Sequence, residues 1–371
     1  MEREQLQPVR MIERLDGKIT RMIGQIGNRV PHVAKEDGVY DHTPIDWWTS
    51  GFWPGMLWIM YDLTGKEHYR EAAWGYDEAL ERRWLEPNRF HHDVGFQFLP
   101  TAMLKHELTG DADALRRTIF AAGVLAGRYN HEGRFIRAWN DDKTGWAIID
   151  CTMNLSLLFQ ASEKTGDPRY RQTAIRHADT VLEHFVRPDG SVRHIVSFDP
   201  ATGAFIEALG GQGFGPDSSW SRGQAWALYG LANVSRYTGD ARYLDAAKRV
   251  AHYVLASLPE DFVPAWDFRA PDAADGPRDS SAGAIAASGL IEIAKLVPEP
   301  ESDFYFRASR RMLESLATRY ATWDRPEHQA ILLQGTGHKP AGQNVNVSLI
   351  YGDYYFVEAY AKLAGWKRHV F

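Results

Sequence analysis

The chain has 371 residues, 44% of them hydrophobic and 24% charged, and a net charge of −6; this supplies a large folded core and excludes a disordered chain. A net acidic protein lacks the bulk positive field that draws proteins to nucleic acid, so no nucleic-acid partner is expected. Cys151 is the single cysteine, no apolar run reaches membrane-spanning length and the charged start Met1-Glu2-Arg3-Glu4 has no apolar signal core, so the expectation is a cytoplasmic protein without disulfides or membrane contact, of unassigned oligomeric state.

In chain order, an amphipathic segment comes first, over residues 2–26. Its apolar positions Met11, Ile12, Leu15, Ile19, Met22 and Ile23 recur at spacings of three and four, the mark of one buried helical face. A loop rich in Gly, His, Pro and Asp ends in DWWTSGFWPG, residues 46–55. An apolar helix follows and stops at Thr64-Gly65; a more charged one, KEHYREAAWGYDEALERRW, comes next. The Thr-Gly pair recurs at Thr109-Gly110, Thr165-Gly166 and Thr238-Gly239, at separations of 45, 56 and 73 residues. Each pair follows an apolar helix and precedes a charged one, and Tyr69, Tyr170 and Tyr243 stand near the start of the next helix. Glycine just past a helix end accepts the left-handed cap, so each pair predicts a helix-hairpin bend. Two further units keep this order without the pair: 280–296 followed by 303–320, and 350–363 at the end.

Six inner helices are therefore predicted, starting at DWWTSGFWPG, HHDVGFQF, IIDCTMNLS, SWSRGQAW, RDSSAGAIAAS and YGDYYFVEA, with the opening helix pairing with the last. This repeat overrides a division by length and predicts one all-α domain over 1–371. Periodicity alone permits an open solenoid or a closed double ring. In a ring the inner helices run the same way, so their polar and aromatic starts converge on one cavity. Between Val186 and Ser219 the helical pattern fails, and 192–198 and 204–209 predict a short β-hairpin or loop over the cavity mouth. GGQGFG, residues 210–215, lacks the strand and helix context of a nucleotide-binding loop.

Asp150, wedged into IIDC at a helix start, reads alone as a helix N-cap, and so does Asp93 before Val94. Composition argues for more: the chain has 13 Trp, 16 Tyr and 17 Phe, and several Trp stand at helix starts beside Gly, Arg, Asp or Ser, which suits a pocket for sugar rings. Ile148, Ile149 and Cys151 would desolvate Asp150, and a second carboxylate at Asp93 would further disfavour its charged form. The helix N-terminus opposes this with about 0.3–1 kcal/mol, against shifts of several pKa units for buried carboxylates, so a protonated acid near neutral pH is expected. His91, His92 and Asp93 are set aside as metal ligands because adjacent residues should point in different directions and no HExxH-like spacing accompanies them. Cys151 reads as core, and Trp53 and Trp58 as packing. Arg222 reads equally well as a structural ion-pair partner and as a ligand for a substrate carboxylate.

The motifs HHDVGF, IIDCTMNL, SWSRGQAW and YGDYYFVEA, in this order, resemble those of the unsaturated glucuronyl hydrolases, glycoside hydrolase family 88. The resemblance runs from about Pro31 to Lys362. It implies an (α/α)6 barrel, a six-hairpin toroid, with no metal or cofactor. It also implies release of the unsaturated (4-deoxy-4,5-ene) uronic acid from the non-reducing end of lyase-generated oligosaccharides. An Asp acid/base would hydrate the C4–C5 double bond, and the resulting hemiketal would collapse. The catalytic Asp falls on Asp150 and the second essential Asp on Asp93. Substrate contacts fall on Trp48, His92, Trp139, His194, Gln212, Trp220, Arg222, Trp226 and, in the loosely matching stretch 336–339, His338. The alternatives are a conventional glycosidase or sugar epimerase on the same barrel, using Asp93 and Asp150 as a pair, or a non-catalytic helical-repeat binding protein. The last leaves unexplained why Asp, Arg and Trp gather at the helix starts. The parent polymer, whether glycosaminoglycan, xanthan, gellan or ulvan, is left open.

Overall fold

The four Thr-Gly bends form as local chemistry dictates. Gly65, Gly110, Gly166 and Gly239 adopt left-handed conformations with φ of 68°, 76°, 73° and 71°, and each returns its N–H to a carbonyl of the last helical turn. The preceding threonine satisfies what glycine cannot. Each hydroxyl donates to the carbonyl four residues back at 2.6–2.7 Å and accepts the N–H two residues on at 3.2–3.3 Å. In three bends the next residue is Asp111, Asp167 or Asp240, whose carboxylate caps the following helix.

The structure, a computed structural model, describes residues 7–371. Its helices are α1 (Pro8–Ile26), α2 (Phe52–Thr64), α3 (Glu67–Ala73), α4 (Tyr76–Glu81), α5 (Val94–Phe98, continuing through Leu99–Met103 into Leu104–Thr109) and α6 (Ala112–Ala126). There follow α7 (Cys151–Thr165), α8 (Pro168–Thr180), α9 (Ser221–Thr238), α10 (Ala241–Ser257), α11 (Ser280–Leu296), α12 (Glu301–Arg319) and α13 (Ile350–Leu363). The inner helices α2, α5, α7, α9, α11 and α13 each pack on the next, and α13 closes on α2, while α1 backs α13. The helix pairs thus form a closed double ring, the (α/α)6 barrel. The predicted first turn of the opening helix, from residue 2, lies outside the described residues. Met11, Leu15, Ile19 and Met22 of α1 are buried as its pattern predicts.

The ring closes tightly because small residues stand at the helix contacts. A Cβ on Gly95 of α5 would sit 2.5 Å from Asn154 Oδ1 of α7, and one on Gly230 of α9 would sit 2.7 Å from Thr152 of α7. Phe52, Phe96, Trp226, Tyr354 and Tyr355 fill the axis with Phe371, all at most 1% exposed. Trp53, Trp58 and Cys151 are core, as expected.

One predicted helix differs from expectation, and strands appear beyond the predicted hairpin. The helix predicted over KEHYREAAWGYDEALERRW breaks at Trp74-Gly75 into α3 and α4. Glycine is a poor helix former, and the Trp74 carbonyl is drawn to Lys105 Nζ at 3.0 Å. The hairpin over the mouth forms as β5 (Ile195–Phe198) and β6 (Phe205–Leu209), preceded in the chain by β1 (Val33–Ala34), β2 (Tyr129–Asn130), β3 (Phe135–Ile136) and β4 (Trp146–Ile148). Strand β4 pairs antiparallel with β5, Trp146 opposite Ser197 and Ile148 opposite Ile195, making a three-stranded sheet. A second sheet, in the order β1-β8-β7, uses β7 (Gly335–His338) and β8 (Gln343–Leu349). Among the described residues no helix is long and apolar enough to cross a membrane.

Candidate active site

Strand β4 delivers Asp150 to the start of α7, and Ile149 N–H donates to His194 O at 3.0 Å, fixing that end of the strand to the hairpin. Asp93 stands at the equivalent point of α5. Neither side chain caps its helix, which corrects the N-cap reading of both residues. Asp150 already has helical backbone angles, φ −57° and ψ −30°, and both carboxyls turn toward histidines.

Asp93 Oδ1 lies 3.2 Å from His92 Nε2, and its Oδ2 lies 3.4 Å from His91 Nδ1. The three side chains converge, contrary to the expectation for adjacent residues, because 91–93 lies outside the regular helix. Their ligand atoms fall within 4.8 Å of one another. The proton positions follow from the neighbours. His92 Nδ1 contacts Ala138 O at 2.7 Å, and a carbonyl only accepts, so Nδ1 carries hydrogen and Nε2 offers a lone pair. Burial pushes Asp93 well above the carboxylate range, with repulsion from Asp150 adding to it, and holds His92 well below its usual value. Both directions favour a protonated Asp93 facing the His92 Nε2 lone pair. Burial holds His91 down to about 4.

Asp150 is 9% exposed, and its Oδ2 has no hydrogen-bond partner among the described residues. Burial pushes its pKa up to about 7, opposed by the Arg222 charge and the Trp226 indole N–H. Desolvation is thus the largest cause, as expected. The like-charge repulsion anticipated at Asp150 falls instead on Asp93. Trp226 Nε1 also lacks a partner of ordinary geometry, although the indole lies near enough to lower the Asp150 pKa. His194 Nε2 stands 3.8 Å from Asp150 Oδ2. Its Nδ1 is held in the 210–212 turn, 3.0 Å from Gln212 N and 3.1 Å from Gly210 O, and burial keeps the ring neutral with a pKa of about 3. A Cβ on Gly211, where φ is 56°, would sit 2.3 Å from His194 Nδ1, which accounts for the glycine-rich turn.

Arg222 resolves toward the ion-pair reading. Its guanidinium donates to Asp279 Oδ2 at 2.7 Å, Thr336 O at 2.6 Å, Gly337 O at 2.7 Å and Gln212 Oε1 at 2.5 Å. It thereby joins α9, the start of α11, β7 and the 210–212 turn, while its charge still reaches Asp150. His338, half-buried on β7, lies where the Arg222 charge holds its pKa down in addition to burial. The aromatics divide into two kinds. Trp48 and Trp139 are half-buried, Trp48 against Tyr351 at 5.0 Å and Trp139 edge-on to His92 at 6.0 Å. Trp220 and Trp226 are buried: Trp220 lies between His194 at 4.1 Å and the Arg222 guanidinium at 4.4 Å, and Trp226 packs on Phe96 at 5.0 Å.

Three residues of the site had no place in the sequence reading. Asn154 accepts Phe96 N–H at 2.8 Å, donates to Asp150 O at 3.3 Å and favours the Asp93 anion. Its position four residues after Asp150, on the same helix face, was the available signal. Asp279 holds Arg222, and Tyr351 lies under that guanidinium at 5.4 Å. The acid of YGDYY, Asp353, is structural: it accepts Ile331 N–H, Leu332 N–H and Tyr40 Oη, each at 2.8 Å.

Comparison with known proteins is consistent with this geometry. The sequence pattern of Glycosyl Hydrolase Family 88 matches residues 18–371. The unsaturated glucuronyl hydrolase of Bacillus sp. strain GL1 is 39% identical over 357 residues, covering 94% of each chain. Its crystal structure, described as that of an enzyme responsible for the degradation of glycosaminoglycan, superposes with a TM-score of 0.92 at 37% identity, over 95% of this chain and 97% of that one. A mutant of the unsaturated glucuronyl hydrolase from Streptococcus agalactiae, complexed with dGlcA-GalNAc6S, gives a TM-score of 0.86 at 32% identity, over 99% and 94% of the two chains. This chain belongs to Glycosyl Hydrolase Family 88.

Proposed function

We propose that this glycosidase releases the 4,5-unsaturated uronic acid from the non-reducing end of oligosaccharides by hydrating the C4–C5 double bond. The observation that carries the mechanism is Asp150, a buried carboxyl with an unpartnered oxygen and a pKa of about 7, in a chain whose relatives act on unsaturated glucuronyl substrates. In the first step the Asp150 Oδ2 proton passes to C4 of the enol ether, and positive charge develops at C5 and the ring oxygen. Water then adds at C5 and returns a proton to the Asp150 carboxylate. The product is a hemiketal at C5, which opens and lets the next sugar leave. The sum is one water consumed and the acid regenerated.

Each neighbour has a task in this scheme. A neutral Asp93 leaves Asp150 with a proton affinity near neutrality, so that it can serve as acid and then as base. A charged Asp93 would hold the proton too firmly. The starts of α5, α7 and α9 and the charge of Arg222 favour the uronate carboxylate in a net acidic protein. Trp48 and Trp139 offer ring surfaces for the apolar faces of the sugars. A conventional glycosidase pair would need Asp93 ionised as base or nucleophile, and the burial that raises its proton affinity disfavours that.

The test is a pair of disaccharides that differ only in the C4–C5 bond, followed through the absorbance of the conjugated double bond between about pH 5 and pH 9. The unsaturated compound should lose its absorbance while the saturated one stays intact. Because the protonated form of Asp150 is the active one, kcat/KM should fall about tenfold per pH unit above about pH 7. Equal cleavage of the saturated disaccharide, or a rate that rises through pH 8, would overturn the proposal.

A further inference from the structure

The turn that carries Trp139 is wrapped around one side chain. Arg128, two residues beyond α6, donates from Nε to Arg137 O at 2.8 Å, from Nη1 to Asn140 Oδ1 at 2.5 Å, and from Nη2 to Ala138 O at 3.1 Å and Trp139 O at 2.7 Å. Four consecutive residues thus close around a single planar cation. Only the fixed fork of a guanidinium supplies donors in that spread; a lysine head is a compact point charge.

Two of these contacts continue into the site. Ala138 O also accepts the His92 Nδ1–H at 2.7 Å, and it is this contact that leaves His92 Nε2 free for Asp93. Asn140 Nδ2 donates to Asn88 O at 3.2 Å and Phe90 O at 2.9 Å, on the segment that leads into Asp93. Trp139 itself stands against the His92 ring. No carboxylate forms an ion pair with Arg128 among the described residues, so its donors are spent on backbone and amide oxygens.

We propose that Arg128 is a positioning residue for substrate: through the backbone of 137–140 it sets the Trp139 ring and the His92 edge against which the sugar packs. This rests on the assignment of Trp139 and His92 to the substrate pocket. Arg128 touches neither the reacting atoms nor the sugar. A shift of about 1 Å in a positioning element can cost up to two orders of magnitude in rate or affinity.

The experiment is a double-mutant cycle of Arg128→Gln and Trp139→Ala, read as kcat and KM on an unsaturated disaccharide, with Arg128→Lys and Asn140→Ala alongside. Trp139→Ala should raise KM about tenfold. Arg128→Gln should raise it to a similar degree with kcat within about threefold, Arg128→Lys should fail to restore it, and Asn140→Ala should raise it about threefold. In the Trp139→Ala background, Arg128→Gln should add less than about threefold, the part that acts through His92, because the part that acts through the ring is already removed. If Trp139→Ala raises KM while Arg128→Gln and Asn140→Ala do not, or if the two effects multiply, Arg128 has no positioning role. If Trp139→Ala itself leaves KM unchanged, the assignment of Trp139 to the substrate is wrong and the proposal falls with it. Should Arg128→Gln fail to fold, Asn140→Ala and Arg128→Lys carry the same readout.

Discussion

Asp150→Asn lowers kcat by about 10³- to 10⁴-fold and leaves KM within about threefold. The amide keeps the shape of the carboxyl but cannot hand a proton to C4 or take one from water. Stability separates this from a folding defect. Burial raises the Asp150 pKa from the ordinary 3.8 to about 7, so the folded state binds this proton more tightly than the unfolded chain. The contribution of this group to stability therefore declines as pH rises from about 4 to about 7, and above that the folded protein carries a buried, ionised carboxylate at a cost of a few kcal/mol. Asparagine carries no such cost. The variant should melt at or above the parent temperature at about pH 8 and close to it at about pH 5. A fall in melting temperature at pH 8, with activity lost in proportion to unfolding, would remove Asp150 from the chemical step.

Arg222→Met has the opposite signature, a loss of stability of about 3–5 kcal/mol. Asp279 is fully buried, and its other contacts, to Ser281 Oγ at 2.5 Å, Ser281 N at 3.1 Å, Thr336 N at 3.3 Å and Ala282 N at 3.4 Å, are to neutral groups and do not neutralise it once the guanidinium is gone. Thr336 O and Gly337 O lose their donor as well, so β7 and His338 loosen together. Denaturant unfolding of Arg222→Met, Asp279→Asn and the double variant checks the assignment. The double variant should lose clearly less than the sum of the singles, because most of the cost is the charge left unpaired. A variant with the parent's stability and a KM raised a hundredfold would make Arg222 a ligand-binding group rather than an anchor.

What the sequence disclosed follows the range of the interactions. A Thr-Gly bend needs only one hydroxyl, one left-handed residue and a carbonyl four positions back, so four helix ends could be located from residue types alone. Six hairpins followed by counting. Closure of the ring was not legible because it rests on contacts such as Gly55 of α2 with Tyr354 of α13, 299 positions apart. Strand β4 is three residues long and runs straight into the helix start, so its apolar side chains read as part of α7. In β8, Asn344 and Asn346 take left-handed conformations, which hides a strand behind turn-forming residues. The capping rule failed at Asp93 because its carboxyl turns toward His91 and His92, and at Asp150 because its carboxyl stays buried with Oδ2 unpartnered. Trp220 and Trp226 read like Trp48 and Trp139 because residue type does not disclose that the first two are buried and the last two half-buried. The sequence could likewise weigh Arg222 as anchor or ligand but not decide, since its partner Asp279 lies 57 positions on.

The central claim is that bond cleavage begins with protonation of C4 rather than attack at the anomeric carbon. NMR of the reaction run in D2O with an unsaturated disaccharide tests it directly, because Asp150 exchanges its proton with solvent before it transfers it. The C4 vinyl signal should disappear at the rate at which the glycosidic bond breaks, and the first-formed product should carry one deuterium on one face of C4. A released uronic acid that keeps its double bond and has no deuterium at C4 would contradict the mechanism.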